Sequence, residues 1–148
     1  MKRKASFLIC LSLLLAAMTS WSENGEVQSI YPENVYELLA SKQDVILIDV
    51  RTHDEYVAGH IPGAILFPVA DINSESAAKI IGPDVTRMVI AYCASGNRSR
   101  TATSLLLGLG YMNVWNMGSL SAWPFEIEHG AVSYTHLRAH ETPEHLVC

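Results

Sequence analysis

The chain has 148 residues, 49% of them hydrophobic, and a formal net charge of −5. That length suggests one domain with enough apolar content for a core. Between Glu23 and Ala131, six Lys/Arg stand against thirteen Asp/Glu, a balance of −7 that argues against nucleic acid or an anionic membrane surface as partner.

The chain opens with Met1-Lys2-Arg3-Lys4 and then the apolar run Phe7 to Ala17. A basic start, a short apolar run and small polar residues are the features of a secretory signal peptide. The run is short for a membrane span, with a retained anchor as the alternative. Cys10 lacks the small residues that precede a lipid-modified cysteine. The expectation is a cleaved leader over 1–22, export to the periplasm and no stable membrane association afterwards. At the other end, Val132 to Thr142 resembles the translation of a transposase-type sequencing adapter. A non-native tail is therefore expected over 132–148, leaving a domain over 23–131. His136, His140, His145 and Cys148 fall in that tail, so they are not read as a metal site.

Within the domain, Pro32 to Ala40 has the periodicity of a short amphipathic helix with Pro in its first turn. Val45 to Val50 is a continuous β-branched run, as in a strand covered on both faces. His53 to Ala58 predicts a helical turn ended by Gly59, and Ala64 to Phe67 a short strand closed by Pro68. A helix is expected within Ile72 to Ile81, then a buried strand over Met88 to Tyr92. Ser99 to Leu109 has helical character and ends at Gly110. Val114 to Asn116 reads as a further strand, and Leu120 to Phe125 as a helical turn. Strands alternating with helices predict an α/β domain with a mainly parallel central sheet of about five short strands flanked by helices.

The strand over Met88 to Tyr92 delivers Cys93 into Ala94-Ser95-Gly96-Asn97-Arg98, with a helix following. Without leader and tail, Cys93 is the single cysteine left, so it has no partner for an internal disulfide. It is either a buried, inert thiol or one kept for reactivity. Gly96 and the small residues let the backbone curl so that amides converge on the sulfur. The helix start, Arg98 and, just beyond it, Arg100 add positive charge, and each of these favours thiolate over thiol.

Cys93-Ala94-Ser95-Gly96-Asn97-Arg98-Ser99 resembles the active loop of the rhodanese family, Cys-x-x-Gly-x-Arg. Asp49-Val50-Arg51, Glu55-Tyr56, Gly59-His60-Ile61-Pro62-Gly63-Ala64 and Pro68 resemble its upstream signature. Gly110-Tyr111, Val114 and Gly118 to Trp123 resemble its closing elements. The resemblance runs from about Ser29 to Trp123 and implies a rhodanese-like three-layer fold. It also implies a sulfurtransferase in which Cys93 carries sulfane sulfur as a persulfide, cradled by Ala94, Ser95, Gly96, Asn97, Arg98 and Ser99. Asp49 and Arg51 match the family's Asp-x-Arg, read as an ion pair supporting the loop, with direct substrate contact as the alternative. His60 is read as a turn-stabilising residue rather than a base, and His53 as an exposed helix-start residue.

Two departures stand out. Ala94 occupies the place where thiosulfate-using members often carry arginine, and Leu66 stands where the family often has Asn or His. The implied reaction moves sulfur from thiosulfate or a similar small anionic donor to cyanide or a thiol, by covalent catalysis that calls for no metal or organic cofactor. A redox protein that keeps Cys93 reduced is a further expected partner. A cysteine phosphatase or arsenate reductase would need arginine six positions after the cysteine, where this chain has Ser99. A non-catalytic sulfur-carrier or interaction module of the same fold is the other alternative.

Overall fold

The computed structural model describes residues 26–130. The expected leader over 1–22 and tail over 132–148 lie outside the described residues. Among those described, five strands form one sheet: β1 (Gln28–Ser29), β2 (Val45–Asp49), β3 (Ile65–Leu66), β4 (Met88–Cys93) and β5 (Val114–Ser119). The helices are α1 (Pro32–Ala40), α2 (His53–Ala58), α3 (Ser74–Ile80) and α4 (Asn97–Gly108), with short 3₁₀ turns at Val69–Asp71 and Leu120–Ala122. The strand order is β1-β5-β4-β2-β3, and every neighbouring pair is parallel.

Side chains on a strand point alternately to opposite faces, so β2 and β4 each feed two cores. Ile46, Ile48, Val89, Ala91 and Cys93 pack with Ala77 of α3 and Ala102 and Leu106 of α4. Leu47, Ile90 and Tyr92 pack with Val35 of α1, Tyr56 of α2 and Trp123. The sheet is thus the middle of three layers, the α/β architecture expected from the alternation of elements. In α4, Ser99, Ala102, Thr103 and Leu106 are the buried positions, one stripe at helical spacing. The small side chains of Ser99, Ala102 and Thr103 bring the start of α4 close to the end of β4.

Three features differ from the sequence reading, and two of them shape the site. β1 has two exposed residues and no hydrophobic pattern, so only its pairing with β5 defines it. β5 runs beyond Asn116 through a bulge: Ala91 faces Asn116, but Tyr92 faces Gly118, leaving Met117 as the extra residue. Gly118 takes a left-handed φ of 91°, and the bulge sets Ser119 opposite Cys93. Lastly, α4 begins at Asn97 rather than Ser99, capped by Gly96 with φ 92°. The loop behind the cysteine is therefore only three residues long.

Candidate active site

Cys93 ends a central strand at the carboxyl edge of the sheet, where parallel α/β sheets gather their chemistry. The left-handed turn at Gly96 swings its amide back, and it donates to Cys93 Sγ at 3.1 Å. Ser99, on the first turn of α4, places its Oγ 3.6 Å from the sulfur, and that hydroxyl also reaches the carbonyls of Gly96 and Gly118 at 3.1 and 3.3 Å. A hydroxyl rotates to suit its partner, so Ser99 accepts from a thiol and donates to a thiolate. Cys93 is fully buried, which by itself raises a thiol pKa. The amide and hydroxyl of Ser99 and the amides of Ser95 and Gly96 outweigh that burial, and the Cys93 pKa lies below its ordinary value.

The remaining loop residues divide by exposure. Ala94, Ser95 and Asn97 are exposed, whereas Ser99 is buried. Ala94 is tied down through its carbonyl, which accepts a hydrogen bond from Ser119 Oγ across the sheet. Arg98 is within hydrogen-bond reach of the sulfur, but not as a free cation. Its two terminal nitrogens donate to Glu55 of α2, each at 2.7 Å. These bonds dominate the rise in the Arg98 pKa, with the Cys93 thiolate a smaller contributor. Arg100 is exposed on α4, and its side chain takes no part in the hydrogen bonds around the sulfur.

Asp49 ends β2, one residue short of the level of Cys93 on its neighbour β4, and is fully buried. Arg51 Nε lies 2.9 and 3.1 Å from its two oxygens and Arg51 Nη2 lies 2.5 Å from Oδ2, while Nη2 also donates to the Gly59 carbonyl at 2.6 Å. The ion pair therefore joins the end of β2 to the end of α2. The Arg51 guanidinium also sits 5.7 Å from the centre of the Tyr92 ring.

His60 Nδ1 donates to the Tyr56 carbonyl at 2.9 Å, its ring stacks on Tyr56 at 3.7 Å, and its Nε2 lies 3.6 Å from Glu128 Oε2, so it ties its turn to the segment around Glu128. His53 is the exposed first residue of α2. Leu66 is half-buried and packs on the core beneath α1 and α2, outside the hydrogen bonds of the cradle. Beside the loop runs a groove of about 450 Å³ lined by Arg51, Ala94, Leu120, Ser121, Trp123, Phe125 and Ile127. Sequence reasoning gave no role to Gly118 or Ser119 and no partner to Glu55. A glycine inside a strand pattern was the available sign of the bulge.

Fold and loop together define an α/β domain built around one cradled cysteine with a lowered pKa. Residues 31–125 match the family described as the rhodanese-like domain, and the chain belongs to that family. It is 38% identical over 98 residues to a sulfurtransferase of Allochromatium vinosum, covering 66% of this chain and 88% of that protein. It is 36% identical over 73 residues to the thiosulfate sulfurtransferase PspE of Escherichia coli, covering 49% of this chain and 68% of the relative. Among solved structures it resembles the human single-domain sulfurtransferase TSTD1, with a TM-score of 0.56 and 29% identity over 66% of this chain and 95% of that one. These relatives support a sulfurtransferase of the rhodanese type.

Proposed function

We propose that Cys93 accepts sulfane sulfur from a small anionic donor, thiosulfate or a compound like it, and passes it to cyanide or an acceptor thiol. The Cys93 thiolate attacks the outer sulfur of the donor, the donor's S–S bond breaks, and sulfite or its equivalent leaves with the bonding electrons. The product on the protein is Cys93–S–S⁻. An acceptor nucleophile then takes the outer sulfur, and the thiolate returns. The observation that carries this reading is the cradle itself. The amides of Ser95, Gly96 and Ser99 and the Ser99 hydroxyl hold negative charge on a buried sulfur.

The leader signature over Met1 to Ala17 supports export to the periplasm, which the processed mass of the protein in a periplasmic fraction tests. In an oxidising compartment a reactive thiolate is prone to oxidation, which supports a redox protein partner. The test of the chemistry is mass spectrometry after donor treatment, paired with a cyanide assay. One sulfur added to Cys93, absent in Cys93→Ser, and discharged by cyanide is the expected result. A thiol that takes up no sulfur from any donor refutes the reading; sulfur taken up and never released makes the protein a carrier.

A further inference from the structure

We propose that Ser119 is a positioning residue for Cys93: its hydroxyl fixes the plane of the Ala94–Ser95 peptide so that the Ser95 amide faces the sulfur. The inference rests on the reading of Cys93 as the reactive group and names a residue outside its loop that prepares it.

The first ground is the geometry of a peptide unit. A peptide is planar, and in the trans form its C=O and the following N–H point to opposite sides. The described residues contain no cis peptide bond. Ser119 Oγ donates to the Ala94 carbonyl from the neighbouring strand β5. With that carbonyl held on the β5 side, the N–H of the same unit, which belongs to Ser95, is turned the other way. That amide is one of the groups whose hydrogen bonds to Cys93 lower its pKa. A rotated plane would set a carbonyl oxygen against the thiolate and favour the thiol instead.

The second ground is the direction of the bonds. A serine hydroxyl has one hydrogen and two lone pairs. Ser119 gives its hydrogen to the Ala94 carbonyl, which can only accept. Its oxygen therefore accepts from the Ser121 amide at 3.1 Å and from Ser121 Oγ at 2.7 Å. Every bonding position of this hydroxyl is occupied, so its orientation is set. Hydrogen bonds in series polarise one another, and the two that arrive strengthen the one that leaves. Ser119 is also the N-cap of the 3₁₀ turn Leu120–Ala122, so the clamp stands on regular structure.

The third ground is register. The bulge at Met117 sets Ser119 opposite Cys93; without the extra residue, counting from the Ala91–Asn116 pair puts Gly118 there, which has no side chain. The bulge thus supplies the hydroxyl. Arg98, which also reaches the sulfur, is paired with Glu55, and neither is a partner of Ser119. Replacing Ser119 therefore leaves the charges around Cys93 as they are.

The test is the pH profile of Cys93 alkylation by iodoacetamide in Ser119→Ala, Ser119→Thr and Ser121→Ala, with urea midpoints measured alongside. In Ser119→Ala the inflection should move to higher pH, and the rate on its acid side should fall about three- to tenfold, the scale of one hydrogen bond. Well above the inflection the variant should react like the wild type, because both thiols are then ionised. Ser119→Thr restores the hydroxyl and should return the inflection towards the wild type. Ser121→Ala removes one incoming bond at an exposed residue and should shift the inflection the same way by less. An inflection unmoved in both alanine variants, whatever their urea midpoints, overturns the inference, as does a Ser119→Thr profile equal to that of Ser119→Ala. Wild-type Cys93 that takes up no sulfur from any donor refutes the persulfide reading instead, and the alkylation profiles still decide the role of Ser119.

Discussion

Arg98, in the loop behind Cys93, is bound by Glu55 through two hydrogen bonds of 2.7 Å. Glu55 is also held from its own helix, because its Oε2 accepts from the Thr52 amide at 3.1 Å and the Thr52 hydroxyl at 2.9 Å in a capping box at the start of α2. A helix cap thereby anchors the loop behind the cysteine.

The hydrogen bonds from Arg98, and then those from Thr52, outweigh burial and hold the Glu55 carboxyl at about 2, below its ordinary 4.5. A depressed carboxyl stabilises the fold fully above its unfolded value and loses that contribution as pH falls from about 4.5 towards about 2. The pair is about a third exposed, so solvent limits its worth to about 1 kcal/mol. Urea midpoints at pH 7 and pH 3 should differ more for the wild type than for Glu55→Gln. Equal pH sensitivity in the two proteins would contradict the anchor.

Ser99→Ala removes the hydroxyl 3.6 Å from Cys93 Sγ while keeping the amides. The Cys93 pKa should move upward, since side-chain hydrogen bonding from Ser99 helps lower it. The measurement is the pH profile of iodoacetamide alkylation, whose inflection should shift to higher pH. An unmoved inflection would show that the amides alone hold the thiolate.

Asp49→Asn leaves the Arg51 guanidinium buried beside a neutral amide. Removing one partner of a buried pair costs about 3–5 kcal/mol. Urea denaturation should show a loss in that range, and the joint replacement Asp49→Leu with Arg51→Met should lose less than Asp49→Asn. A loss near zero for the single variant would mean that the Gly59 carbonyl and Tyr92 ring suffice for Arg51.

Gly96→Ala places a side chain at φ 92°, where the left-handed backbone costs an L-residue about 1–2 kcal/mol. Crowding is not the reason, because an added Cβ would meet Gly118 Cα at an ordinary 3.5 Å. The turn should relax and draw the Gly96 amide off the sulfur, lowering both thermal stability and the alkylation rate of Cys93 at neutral pH. Gly96→Asn should fall between the wild type and Gly96→Ala, as Asn tolerates this conformation better.

Much of the fold was legible because its signals are local. Pro32 and the spacing that follows it define α1, which runs from Pro32 to Ala40 as expected, a β-branched run defines β2, and a short apolar run defines β4. β1 was not legible. Two exposed residues have no pattern of their own and are a strand only through β5. The Thr52-x-x-Glu55 capping box was readable in principle, yet the second partner of Glu55 was not, since Arg98 lies 43 residues on.

By itself, the amino-acid sequence determined that a buried strand ends in a cysteine, that a glycine-containing loop follows, and that a helix begins at once. Those are properties of consecutive residues, where apolar runs, glycine and helical spacing act over a few positions. The tertiary structure alone decided what the loop's charges do. It set Arg98 on Glu55, and it brought Gly118 and Ser119 under the loop through a bulge in β5. Charge and hydrogen bonding depend on distances in space, and in an α/β sheet the neighbours of one strand end come from strands and helices far apart in the chain.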